Sequence, residues 1–112
     1  MFIINIINNY LFFDSATTAI SSDVVDNIRG DLLVVEVHGT ATALDINVQG
    51  LIDINNTAYS DISWKMSDGT TGTDITAKGI YLINISGVSK IKIVINSISG
   101  GNVTIFGKLG EL

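Results

Sequence analysis

Lys90-Ile91-Lys92-Ile93-Val94-Ile95-Asn96 alternates between two chemistries with a period of two. Ile91, Ile93 and Ile95 fall on one side of an extended chain. Lys90, Lys92 and Asn96 fall on the other, with Val94 among them. Successive side chains of a strand point to opposite faces, so this is the pattern of a strand with one buried face. The apolar residues are β-branched, stiff at χ1, and fit a pleated surface better than a helix. The alternation recurs on either side of this stretch. Leu44, Ile46 and Val48 alternate with Asp45, Asn47 and Gln49; Ile62, Trp64 and Met66 alternate with Asp61, Ser63 and Lys65. Val103 and Ile105 oppose Thr104 and Lys108. Leu32–His38 and Ile80–Ile85 are apolar on both faces, which marks central or interface-covered strands.

Turn residues punctuate these runs at short spacing: Gly30-Asp31, Gly39, Gly50, Asn55-Asn56, Asp68-Gly69 with Gly72, Gly79, Ser86-Gly87 and Gly100-Gly101-Asn102. The predicted strands are 2–7, 10–13, 32–38, 43–49, 61–67, 79–85, 90–97 and 102–109. Seven to eight strands in a chain of this length imply an all-β protein, an antiparallel β-sandwich of jelly-roll-like form. The exception is 21–29. Ser22 can cap a helical turn that puts Val24, Val25 and Ile28 on one face and stops at Gly30, and a loop fits equally well. One domain is expected overall, with 1–25 as an N-terminal strand or arm and its connection, and 26–112 as the sandwich body. The Ser-, Thr- and Ala-rich stretch Asp14–Asp26 reads as a flexible connection. The apolar arm ahead of it fits either a neighbour's sheet edge or the first strand of the same sandwich.

Composition narrows the function classes. Six basic residues against 11 acidic ones give a net charge of −5. Nucleic-acid affinity comes mostly from clustered Lys and Arg, so no nucleic-acid partner is expected. There is no cysteine and one histidine, which excludes disulfides, thiolate metal sites and multi-histidine metal sites. No run approaches the 18 or so apolar residues of a membrane helix, and the N-terminus lacks the positive region of a secretory signal. Yet only 15% of residues are charged and 19 are Ile. A small chain this apolar, with no membrane segment expected, should bury surface against other chains. A homo-oligomer is expected, a trimer first, with an interface formed by Phe2, Ile4, Ile6, Ile80, Leu82 and Ile83.

No motif assigns a catalytic residue, a cofactor site or a metal ligand, and the chain is not expected to be an enzyme. Glu36 and His38 share a strand face, as general acid–base work would need. No Gly-x-Ser-x-Gly elbow supplies a nucleophile, and a strand-edge histidine beside a surface carboxylate is the simpler account. Asp68-Gly-Thr-Thr-Gly-Thr-Asp74 is rich in oxygen ligands but lacks the alternating carboxylates and closing Glu of a calcium loop, and Asp-Gly is what a hairpin turn requires. Arg29-Gly30-Asp31 spells a short adhesion tripeptide at the entry to a strand, where a turn is needed anyway. Among the aromatics, Trp64 is in phase with Ile62 and Met66 and belongs to the core, whereas Tyr59, in a loop, is the candidate to stack on a sugar. Asn55, Asn84 and Asn102 each begin an Asn-x-Ser/Thr sequence, and two of these fall inside predicted strands.

The second half has a cadence of its own, Thr76-Ala-Lys-Gly-Ile-Tyr-Leu-Ile-Asn-Ile-Ser-Gly-Val-Ser-Lys-Ile-Lys-Ile-Val-Ile-Asn-Ser-Ile-Ser-Gly-Gly-Asn-Val-Thr-Ile-Phe-Gly-Lys-Leu109. Together with Val37–Gly50 and Ser63-Trp64 it resembles small bacteriophage virion proteins of the head decoration or head-fibre type, over about residues 30–110. The resemblance rests on turn glycines and strand alternation. It implies a trimeric or otherwise oligomeric structural protein on the capsid surface of a virion, present in the host cytoplasm during assembly. Its partner would be the phage major capsid protein or another virion protein. The alternatives are a carbohydrate-binding or host-recognition module, which needs exposed aromatics on one face, and a tail-associated structural protein.

Overall fold

The computed structural model describes residues 9–26 and 30–110. Every paired strand is antiparallel, and the described residues contain no helix. Six long strands carry the fold: β1 (Asn9–Ala16), β3 (Leu32–Gly39), β4 (Ala43–Leu51), β9 (Gly79–Asn84), β10 (Lys90–Ser99) and β11 (Val103–Gly110). Five two-residue strands complete it: β2 (Ile20–Ser21), β5 (Ser60–Asp61), β6 (Trp64–Lys65), β7 (Thr71–Gly72) and β8 (Asp74–Ile75). The first sheet has the order β1-β11-β3-β9-β6-β7, and the second has β2-β10-β4-β5 with β8 also paired to β4. The result is a β-sandwich, as the period-two alternation requires.

The inner faces are the ones the alternation assigns. Ile91, Ile93 and Ile95 of β10 meet Ile46 and Val48 of β4 in one sheet, and Leu33, Val35 and Val37 of β3 meet Ile83 and Tyr81 of β9 in the other. All are buried. Each fully buried branched aliphatic side chain contributes roughly 1.5–3 kcal/mol relative to exposure. This core holds the two sheets face to face without a disulfide.

Two expectations change. The strand foreseen over 61–67 is divided between the sheets: β5 pairs with β4, whereas β6 pairs with β9 and β7. Ile62 still donates its N–H to the Val48 carbonyl at 2.8 Å, so the crossing falls between Ile62 and Trp64. Ile62, Trp64 and Met66 all point toward the core, which is why the alternation survives a change of hydrogen-bond partners. The helical turn considered for 21–29 does not form in its described part. Ile20–Ser21 pairs with β10, and Val25 exchanges two backbone hydrogen bonds with Ile91. The Ser22 hydroxyl caps no helix; it accepts the Ile93 N–H at 2.9 Å. Residues 9–25 are therefore built into the same sandwich as the rest, and the Asp14–Asp26 connection is paired in part, at 14–16, 20–21 and 25.

β1 makes its turn toward β2 with two register irregularities against β11. Ser15 sits at the second with φ of 54°, a left-handed conformation that non-glycine residues rarely take. The bulge is held by the Ser15 N–H donating to Thr104 Oγ1 at 3.0 Å.

Candidate functional site

With both inner faces committed to the core, interaction chemistry falls to the outer faces and the loops. Across the first sheet the outward residues are in register. Leu11 lies opposite Phe106, Phe106 opposite Glu36, and Glu36 opposite Ile80. The next row runs Lys108, Val34, Leu82 and Lys65. Leu11, Ile80 and Phe106 are 56%, 54% and 39% exposed. Beyond them Leu32, Leu82, Lys65 and Asn84 line a shallow hollow of about 350 Å³. The face is an apolar band with three charged side chains set into it.

The second sheet presents the opposite chemistry. Its outward residues on β4 are Asp45, Asn47 and Gln49, and those on β10 are Lys90, Lys92, Val94 and Asn96. The amides among them are tied to their neighbours, whereas the buried Asp45 Oδ1 has no hydrogen-bond partner among the described residues. Asn47 is buried and donates from Nδ2 to the Thr73 carbonyl at 3.0 Å and to Asp74 Oδ1 at 2.6 Å, while its own Oδ1 accepts from Asn96 Nδ2 at 2.5 Å. Gln49 donates to Asp61 Oδ1 at 2.9 Å. Satisfied in this way, a buried amide fixes β8 against β4 and β10. The Lys92 ammonium stands 4.4 Å from the centroid of the Tyr59 ring. The aromatic held open for sugar stacking thus has a cation on its face.

The remaining candidates take ordinary structural places. Glu36 and His38 are exposed on the outer face of β3, with Phe106 and Thr104 as cross-strand neighbours on β11. Asp68 closes the hairpin between β6 and β7: its Oδ1 accepts the Thr70 N–H at 3.0 Å, and Gly69 has φ of 93°. Hydrogen bonds from Thr70 hold the Asp68 carboxyl below its ordinary value of 3.8. Among the described residues no three His, Cys, Asp or Glu side chains are grouped to hold a metal ion. Trp64 is half-buried, edge-on to Tyr81 with centroids 4.9 Å apart, and donates Nε1–H to the Asp74 carbonyl at 3.1 Å. Burial pushes the Tyr81 phenol up, while its hydroxyl donates to the Ala77 carbonyl at 2.6 Å. Of the adhesion tripeptide, Arg29 lies outside the described residues.

The interface residues expected from the sequence separate into three groups. Phe2, Ile4 and Ile6 lie outside the described residues. Ile80 and Leu82 are brought together on the outer face of β9. Ile83 is not with them: one residue further along the strand, it points inward and is wholly buried opposite Leu33. The period of two that identified the strand requires this, because Ile83 cannot share a face with both Ile80 and Leu82. The band also contains Leu11, Val34 and Phe106, which sequence reading did not single out. Their signal was an apolar residue in the outward phase of a strand.

A two-sheet antiparallel sandwich, with one apolar and one polar outer face, is the class of protein that these observations define. The XepA family model matches residues 7–109, and the chain belongs to the XepA family. Two solved structures share the fold. The SPBc2 prophage-derived protein YomS superposes with a TM-score of 0.81 at 20% identity, over 91% of this chain and 90% of that one. The PBSX exported protein XepA superposes with a TM-score of 0.82 at 25% identity, over 91% of this chain but 37% of XepA. This chain thus corresponds to little more than a third of XepA. No curated protein matches the sequence. The chain thus shares the β-sandwich fold of a prophage-derived protein and of part of an exported one.

Proposed function

We propose that this protein is a non-enzymatic structural component of a phage-encoded assembly, and that it works as a homo-oligomer. Membership of the XepA family over residues 7–109 is the observation that carries the reading. The apolar outer face of the first sheet supports self-association, because large apolar patches are uncommon on soluble monomers. A trimer is the assembly proposed first. In the finer form of the proposal the oligomer decorates the capsid surface, held by the major capsid protein or another virion protein, and accumulates in the host cytoplasm before assembly. A surface role of this kind needs no catalytic group, cofactor or nucleic-acid contact.

One observation favours a second reading. XepA, which matches at 25% identity, is described as exported. On that reading the chain acts outside the cell that makes it and is not a fixed part of the particle. Fractionating a lysate of the producing strain tests both. Co-purification with intact particles, at a constant copy number per capsid, supports decoration. Recovery in the particle-free culture fluid supports export. A soluble monomer left inside the cells would overturn the structural proposal.

A further inference from the structure

We propose that the cleft between the free edges of the two sheets binds an organic cation, a primary ammonium carried on an apolar body. The proposal does not depend on the assembly described above. β1 ends the first sheet and β2 ends the second, so among the described residues neither has a further strand on this side. β1 and the segment 22–26 share a cavity of about 360 Å³, lined by Tyr10 and Phe12 from one and by Ser22, Asp23, Val25 and Asp26 from the other. That volume lies at the lower end of the roughly 300–1,000 Å³ of small-ligand pockets.

Both walls are fixed by the fold. Tyr10 lies opposite Gly107 of β11, and a Cβ on Gly107 would come within 2.5 Å of Phe12 Cε2. The missing side chain leaves room for the Phe12 ring against the core, and the Tyr10 ring stands beside it, 5.8 Å between centroids and tilted by 40°. On the other wall Ser22 Oγ accepts the Ile93 N–H and donates to the Asp23 carbonyl, and Val25 is bonded twice to Ile91. The charge has one sign. No basic side chain lines the cavity among the described residues, and Asp23 and Asp26 stand exposed beside it. Asp26 pairs with Lys90 at 3.4 Å, whereas Asp23 has no ion pair among the described residues. Two carboxylates and one ammonium leave one negative charge for a ligand to neutralise. The face of an aromatic ring adds to the attraction for a cation. A primary ammonium suits the site better than a quaternary one because its N–H groups can donate to Asp23. Tyr10, Phe12 and Val25 take the apolar body.

The test is a titration of the intact chain with phenethylammonium chloride, followed by the amide NMR shifts of residues 10–12 and 22–26. Saturable shifts centred on these two segments are expected. Phenylethanol, similar in shape but uncharged, should bind about tenfold more weakly. Asp23→Asn should raise the apparent Kd about three- to fivefold, and Tyr10→Leu by a similar factor. Asp23 is exposed and its carboxylate makes no hydrogen bond among the described residues, so this variant keeps the question answerable should Tyr10→Leu fold poorly. Asp68→Asn changes an exposed aspartate in the β6–β7 hairpin and should leave the Kd unchanged. Three results would each overturn the proposal: no saturable shift in these segments, equal affinity for the neutral alcohol, or a loss in Asp68→Asn as large as that in Asp23→Asn.

Discussion

The two sheets are alike inside and opposite outside. Both inner faces are packed with Ile, Val and Leu, and strands of both sheets alternate with the same period. On the outside, β4 and β10 carry amides that bond to each other and to the carboxylates of Asp61 and Asp74, whereas β3, β9 and β11 carry Val34, Ile80, Leu82 and Phe106 with no partner from the chain's own core. Stability needs only the inner half of each alternation. The outer half is free to differ, and here one sheet turns bonded amides outward and the other an apolar row.

The strongest way to break this comparison is to strike both inner faces. Ile93→Ala in the second sheet and Ile83→Ala in the first should each cost about 2–5 kcal/mol in urea unfolding. A small loss at Ile83 alone would mean that the first sheet is held together by something other than this core. Next comes the polar face. Asn47→Ala removes the amide shared by Thr73, Asp74 and Asn96 and should cost about 1–3 kcal/mol, whereas Phe106→Ser on the apolar face should change unfolding by less than about 0.5 kcal/mol when measured on monomer. If both changes cost the same, the two outer faces do not differ in kind.

The flanks sharpen the comparison further. A Cβ on Gly72 would come within 2.7 Å of Trp64 Cζ2, so Gly72→Ala should cost about 1–3 kcal/mol and alter the near-ultraviolet dichroism of Trp64. Ser15→Gly, at the left-handed position of the β1 bulge, should raise stability by up to about 1 kcal/mol if strain there outweighs the lost chain stiffness. The smallest effect is at Asp68. Its carboxyl is held below the ordinary value, so the stabilisation is present above pH 4 and is lost as pH falls through the lowered value. The melting-temperature gap between wild type and Asp68→Ala should therefore be constant near neutrality and narrow in acid.

The long strands were legible because burial of one face forces alternation, and the predicted 32–38, 43–49, 79–85, 90–97 and 102–109 lie close to β3, β4, β9, β10 and β11. The two-residue strands were not. β2, β5, β7 and β8 are too short to show a period, and their pairing is set by which neighbour lies beside them. The candidate surface was half legible. Apolarity on both sides of β9 identified the region, but assigning Ile83 to the surface disregarded the phase of its own strand. Phe106 was overlooked although it stands between Thr104 and Lys108 in the outward phase.

The position of β11 has a consequence for how the chain is made. This last strand lies between β1 and β3, pairing Tyr10 with Gly107 and Val35 with Gly107 across its two edges. Until residues 103–110 leave the ribosome, β1 has no hydrogen-bonding partner in the first sheet and β3 has one open edge. Pairing can begin both at β4 with β10 and at β3 with β9, whose partners are similarly close in sequence, while β1 waits for a closure that spans nearly the whole chain. During synthesis the chain thus carries open edges on β1 and β3, and chaperones or early neighbours would meet it in that state.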